Sequence, residues 1–102
     1  MNTQSLNRLV AKETGLKKSE KVADYVRDSG SGNVAYRLVK VYRWKHGDFH
    51  CAKVSENTFE IIMDNGCSVC ELPKVVELMK NLGCRIECCG KDFVRVSVSK
   101  NN

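Results

Sequence analysis

Residues 65–99, NGCSVCELPKVVELMKNLGCRIECCGKDFVRVSVS, place a cysteine pair, a helix and two strands in a fixed order. Asn65-Gly66 opens a turn that carries Cys67-Ser68-Val69-Cys70. Leu72, Val75, Val76, Met79 and Leu82 then recur at i, i+3, i+4, i+7 and i+10, with Lys74, Glu77, Lys80 and Asn81 on the other side, the pattern of an amphipathic helix. Gly83 supplies the left-handed residue that ends it. Cys84, Ile86 and Cys88 share one face of a following strand, and Val94, Val96 and Val98 one face of the next, with Gly90 in the turn between them. A helix that feeds a hairpin predicts an α+β fold.

Working back from this unit, TFEIIM (58–63) and residues 49–54 read as two strands separated by Ser55-Glu56-Asn57. Before the turn Lys45-His46-Gly47-Asp48 lies a long strand, VAYRLVKVYRWK (34–45). Its Tyr36, Leu38, Tyr42 and Trp44 share one parity and Arg37, Arg43 and Lys45 the other, with a break at Val39-Lys40-Val41. Asp28-Ser29-Gly30-Ser31-Gly32-Asn33 is a linker by composition. SLNRLVAKETG (5–15) puts Leu6, Leu9 and Val10 on one helical face, and Ser19 caps a second helical segment, SEKVADYVRD, with Val22, Tyr25 and Val26 apolar. The expected architecture is a mainly antiparallel sheet of about five strands with two or three helices on one face. It forms one domain over residues 1–102, with a flexible N-terminus and tail.

An internal repeat is also expected. GDFHCAKVSEN (47–57) matches KDFVRVSVSKN (91–101) at Asp48/Asp92, Phe49/Phe93, Val54/Val98, Ser55/Ser99 and Asn57/Asn101, and KVADYVRD (21–28) resembles KVVELMKN (74–81). The chain then divides into two αββ units, 19–55 and 70–100. Their equivalence places His50, Ala52 and Val54 inward with Val94, Val96 and Val98.

At 102 residues, with 42% hydrophobic and 28% charged residues, the chain has the composition of a folded domain with a modest core. No apolar run approaches the ~20 residues of a membrane span, and no signal-peptide pattern opens the chain, so the expected setting is intracellular, in a cytoplasm or host cytoplasm. In that setting six cysteines are read as free thiols, metal ligands or redox groups. Charge is asymmetric. Residues 1–45 hold ten Lys/Arg against four Asp/Glu, and residues 46–102 hold seven against eight. A basic half points to a polyanion or an acidic partner.

Two constellations carry chemistry. Lys17, Lys18, Lys21, Arg37, Lys40, Arg43, Trp44 and Lys45 are the candidate nucleic-acid contacts, since cations neutralise phosphates and flat rings stack on exposed bases. Cys67 and Cys70 are the candidate metal ligands, for zinc or copper, or a redox pair whose thiolate a helix N-terminus stabilises. The opening MNTQSLNRLVAKETGLKKSEKV resembles the first helical hairpin of the HU/IHF family of DNA-bending proteins. TFEIIMDNGCSVCELPKVVELMKNLGCRIE is similar to a heavy-metal-associated, metallochaperone-like module and to the active-site half of a glutaredoxin. The first resemblance implies DNA contact, the second a metal or thiol site at Cys67 and Cys70.

Catalytic motifs are missing: the sequence has no Gly-rich phosphate loop, no nucleophile elbow and no His-Glu pair at metalloprotease spacing. The leading expectation is therefore a small non-enzymatic protein that engages nucleic acid through its basic half, of a phage or viral accessory or regulatory kind. The alternatives are a protein-interaction module that takes a peptide or acidic partner in a groove between two αββ units, and a CxxC thiol/metal module.

Overall fold

The computed structural model describes residues 1–28 and 37–98. The Ser/Gly linker from Ser29 on, Tyr36 and the C-terminal residues 99–102 lie outside the described residues. The fold is α+β, with two antiparallel sheets of two and four strands and two helices.

Helix α1 (Thr3–Thr14) begins at the start of the chain, where Asn2 and Ser5 form a reciprocal capping box. Residues 49–53 (β3), 58–63 (β4), 85–89 (β5) and 93–97 (β6) make the larger sheet in the order β3-β4-β6-β5, every pair antiparallel. Helix α2 (Leu72–Asn81) follows a 3₁₀ turn over Gly66–Glu71. It ends in a Schellman motif: the Gly83 N–H donates to Lys80 O and the Cys84 N–H to Met79 O, with Gly83 at φ 80°.

The core follows from period-2 alternation in the strands and the 3.6 period in the helices. Phe49, Cys51, Phe59, Ile61, Met63, Val94 and Val96 face one way and are buried. Leu6 and Val10 of α1 and Leu72, Val75 and Met79 of α2 close over them. Both helices thus cover one face of the sheet, as their apolar stripes require. Its outer edge at β3 is capped by a side chain: the Cys51 N–H donates to the Oδ1 of buried Asn7 at 3.0 Å.

Residues 20–28 correct the expected second helix. They form strand β1 (Glu20–Asp28), which pairs along its whole length with β2 (Arg37–Lys45) as a two-stranded ribbon. The helical hairpin implied by the HU/IHF resemblance is accordingly absent: α1 is followed by a strand. Val22, Tyr25 and Val26 satisfy a helical spacing over ten residues. They are also β-branched or aromatic, and a β-prone partner follows within a short connection, so cross-strand pairing overrides a weak helix propensity.

The same strand removes the repeat. Residues 21–28 are extended where 74–81 are helical, and 19–55 is a run of three strands, not an αββ unit. Facing differs as well. In β3 the odd residues Phe49 and Cys51 enter the core and Val54 is exposed, whereas in β6 the even residues Val94 and Val96 do so. His50 is buried, but on the sheet face opposite Val94. Without two αββ units the groove expected between them does not exist.

The ribbon leaves the body at one place. The Ser19 N–H donates to Phe49 O, and the Phe49 and Asp48 N–H groups donate to Lys17 O, so residues 17–19 lie parallel to the start of β3. The turn back from β2 passes through His46, at φ 64°, and Gly47. A Cβ built on Gly47 would strike the backbone N and Cα of Ser19, so only glycine lets the two legs of the ribbon meet here.

Candidate nucleic-acid interface

Pairing in the ribbon sorts its side chains by parity, since direct cross-strand partners share a face. Lys21 pairs with Trp44, Ala23 with Tyr42, Tyr25 with Lys40 and Arg27 with Leu38. This face holds three cations, three aromatic rings and no carboxylate. All eight residues are exposed, with Leu38 at 70%, Tyr25 at 61%, Tyr42 at 60% and Trp44 at 37%. The ammonium groups of Lys21 and Lys40 lie 5.3 and 5.5 Å from the Tyr42 ring centroid, two cation–π contacts to one phenol.

The opposite parity differs in kind. Glu20 pairs with Lys45, Val22 with Arg43, Asp24 with Val41, Val26 with Val39 and Asp28 with Arg37. Three acidic and three basic residues balance there around four valines. Lys45 Nζ lies 2.7 Å from Asp24 Oδ2. This ammonium, helped by the Tyr25 N–H, holds the Asp24 carboxyl below its ordinary range.

The candidate contacts named from sequence therefore separate. Lys21, Lys40 and Trp44 share the aromatic face, which Lys18 extends at the root, with its Nζ 6.0 Å over the Trp44 ring. Arg37, Arg43 and Lys45 occupy the mixed face, Arg37 and Lys45 opposite carboxylates and Arg43 opposite Val22, and Lys17 is exposed in the crossing segment before β1. Tyr25, expected on a helix, and Arg27 join the aromatic face. The signal that finds them is the alternation Lys21, Ala23, Tyr25, Arg27, visible once the segment is read with period 2.

At the root, Trp44 is seated on the body. Its ring stacks on the His50 imidazole, with centroids 4.1 Å apart and planes 7° from parallel. His50 is fixed in turn by Asp64, whose carboxylate oxygens lie 2.8 and 2.9 Å from Nδ1. Trp44 also borders a cleft of about 510 Å³ between α1 and the ribbon, which Gln4, Asn7, Arg8 and Lys18 help to line.

The cysteines lie apart from this surface. Cys67 and Cys70 are exposed in the 3₁₀ turn, where the Asn65 side chain caps the Cys67 N–H and the Cys70 thiol donates to Cys67 O at 3.0 Å. Among the described residues no three His, Cys, Asp or Glu side chains gather as metal ligands. Cys88 is exposed, contrary to its expected place with Cys84 and Ile86. A register shift between Ile86 and Cys88 puts it opposite Arg95, on the sheet face away from the helices. Burial pushes the Cys51 thiol up to about 12 and raises that of Cys84.

No helix among the described residues is long and apolar enough to cross a membrane. Comparison with protein-family models, curated proteins and solved structures finds no match to this chain.

Proposed function

We propose that the chain is a non-enzymatic binding protein that engages nucleic acid through the aromatic face of its β-ribbon. The observation that carries this reading is the sorting by parity: cations and rings stand together without a carboxylate, all in solvent. Large apolar side chains grouped at the surface mark a contact surface. Interleaved ammonium groups select a polyanion for it, with Lys18, Lys21, Arg27 and Lys40 for phosphates and Tyr25, Tyr42 and Trp44 for bases. Tyr42 and Trp44 stand two residues apart on β2, about 7 Å along the strand, twice the ~3.4 Å rise between stacked nucleotides. Rings at that spacing leave room for a base between them.

The test is fluorescence anisotropy of labelled single-stranded DNA, single-stranded RNA and duplex DNA over a range of salt. Three or four neutralised phosphates give a log–log slope of about −2 to −3 on a single strand. Tyr42→Ala and Lys40→Ala should each weaken binding, whereas Arg43→Ala on the mixed face should leave it nearly unchanged. Absence of binding to all three at low salt refutes this reading and leaves an acidic protein surface as the partner of the same face.

A further inference from the structure

We propose that the cleft between α1 and the foot of the ribbon is a pocket for one unpaired nucleotide, with its base on Trp44 and its phosphate at Arg8 and Lys18. This rests on the nucleic-acid reading and names the form of nucleic acid that the interface takes.

Four observations converge on it. The cleft, about 510 Å³, falls inside the roughly 300–1,000 Å³ of small-molecule pockets. Its walls carry two cations, Arg8 and Lys18, and no carboxylate, so it selects an anion. Its aromatic wall is preorganised: the Trp44 ring is stacked on His50, which Asp64 anchors, and Trp44 lines the cleft while keeping 37% of its surface exposed. Its polar groups suit a base edge. Asn7 is buried with its Oδ1 already taken by the Cys51 N–H, which leaves its amide N–H groups as the donors at that end, and Gln4 adds a second amide.

The chemistry of each group then assigns it a part. A base entering the cleft stacks on the indole, where stacking on an aromatic side chain contributes ~1–3 kcal/mol. Lys18, an exposed and flexible side chain now over that ring, swings aside to its phosphate. Arg8, exposed on α1, closes on the same phosphate with its planar fork. The floor is Cys51, buried and neutral, which presents no competing charge. A paired base is excluded, because its hydrogen-bonding edge is occupied and its flat faces are covered by neighbours. Trp44 belongs both to the aromatic face and to this cleft, so a strand lying along the ribbon delivers a nucleotide directly into it.

Trp44 is the sole tryptophan, which makes it the reporter. The full chain is titrated with adenosine 5′-monophosphate, and with ribose 5-phosphate as the control lacking a base. Emission and the single indole N–H resonance are followed. The nucleotide should change Trp44 emission saturably and shift the indole resonance, whereas ribose 5-phosphate should compete without stacking. Arg8→Ala should weaken nucleotide binding on the order of tenfold. Unchanged melting of that variant excludes misfolding as the cause, and Gln4→Ala gives a second, milder reading. A single-stranded oligonucleotide should bind more tightly than a blunt duplex of the same sequence, and Arg8→Ala should narrow the gap. If the oligonucleotide binds with its steep salt response while the nucleotide leaves Trp44 unperturbed and Arg8→Ala binds like the parent, the pocket is refuted and the ribbon reading survives. If the nucleotide perturbs Trp44 while no oligonucleotide binds, the pocket stands and the ribbon reading falls.

Discussion

The four-stranded sheet and the two-stranded ribbon use the same antiparallel pairing toward opposite ends. In β4 and β6 every second residue is buried, and Phe59, Ile61, Val94 and Val96 lock against two helices. In β1 and β2 no described side chain is buried, and the aromatic rings stand in solvent. An isolated two-stranded ribbon has little independent stability. The ribbon is held at its root, by the crossing of residues 17–19 on β3 and by Trp44 on His50. Folding energy is concentrated in the body, and the exposed rings and cations in the arm, so substitutions in the two regions should have separable effects.

The sharpest way to break that contrast is truncation. Phe59→Ala removes a fully buried ring and should lower stability by about 3–5 kcal/mol in denaturant unfolding. Tyr25→Ala, on the exposed face of the ribbon, should stay within about 0.5 kcal/mol while weakening nucleic-acid binding. An equal loss from both would show that the ribbon is part of the cooperative core.

Next in size is the pH response of the body. The Cys51 thiol stands at about 12 in the fold against an ordinary 9.0, because burial disfavours the thiolate. An acid group raised on folding contributes stability that is fully present below 9 and is lost as pH climbs toward 12, since the unfolded chain gives up its proton first. Within that window the loss approaches ~1.4 kcal/mol per pH unit. Thermal melts should therefore fall more steeply above pH 9 for the parent than for Cys51→Ala.

Thiol mapping compares exposed and buried sites in the same molecule. Cys67, Cys70, Cys88 and Cys89 should be alkylated in the folded chain, and Cys51 and Cys84 only on unfolding. Early labelling of Cys51 by mass spectrometry would show that the sheet opens from its β3 edge. The smallest effect belongs to Leu38→Ala on the ribbon, which should leave the melting temperature within a degree or two of the parent.

Much of the body was readable because its signals are local. Gly83 closes α2 where the apolar period ends, and β4 and β6 alternate plainly. The arm was harder for a physical reason. Val22, Tyr25 and Val26 fit both a helix and a strand over so short a window, and the decision lies in residues 37–45, which pair with them. On a helix over 20–28, Tyr25 and Arg27 would not share a face with Lys40 and Tyr42, as they do in the ribbon. Arg37, Arg43 and Lys45 are as basic as Lys40, yet β2 turns them to the other side. A single residue, Glu87, moves Cys88 across the sheet through the irregularity beside it, and no composition rule shows that. The cleft combines residues 4–8 with 18 and 44, and the His50–Asp64 pair spans a hairpin, so both exist only once the chain has folded.

Asn7 has a wider consequence. Every open sheet has two borders whose unpaired amides invite another chain to add a strand. On the four-stranded sheet one border is occupied by the Asn7 amide and the crossing segment 17–19, and the other is broken by the irregular register at Ile86–Cys88. Among the described residues the two-stranded ribbon has no further strand along either border. Self-templating growth, the first step toward fibres, is thereby denied to the body and confined to the arm, where lysines and arginines repel a second copy until a polyanion screens them.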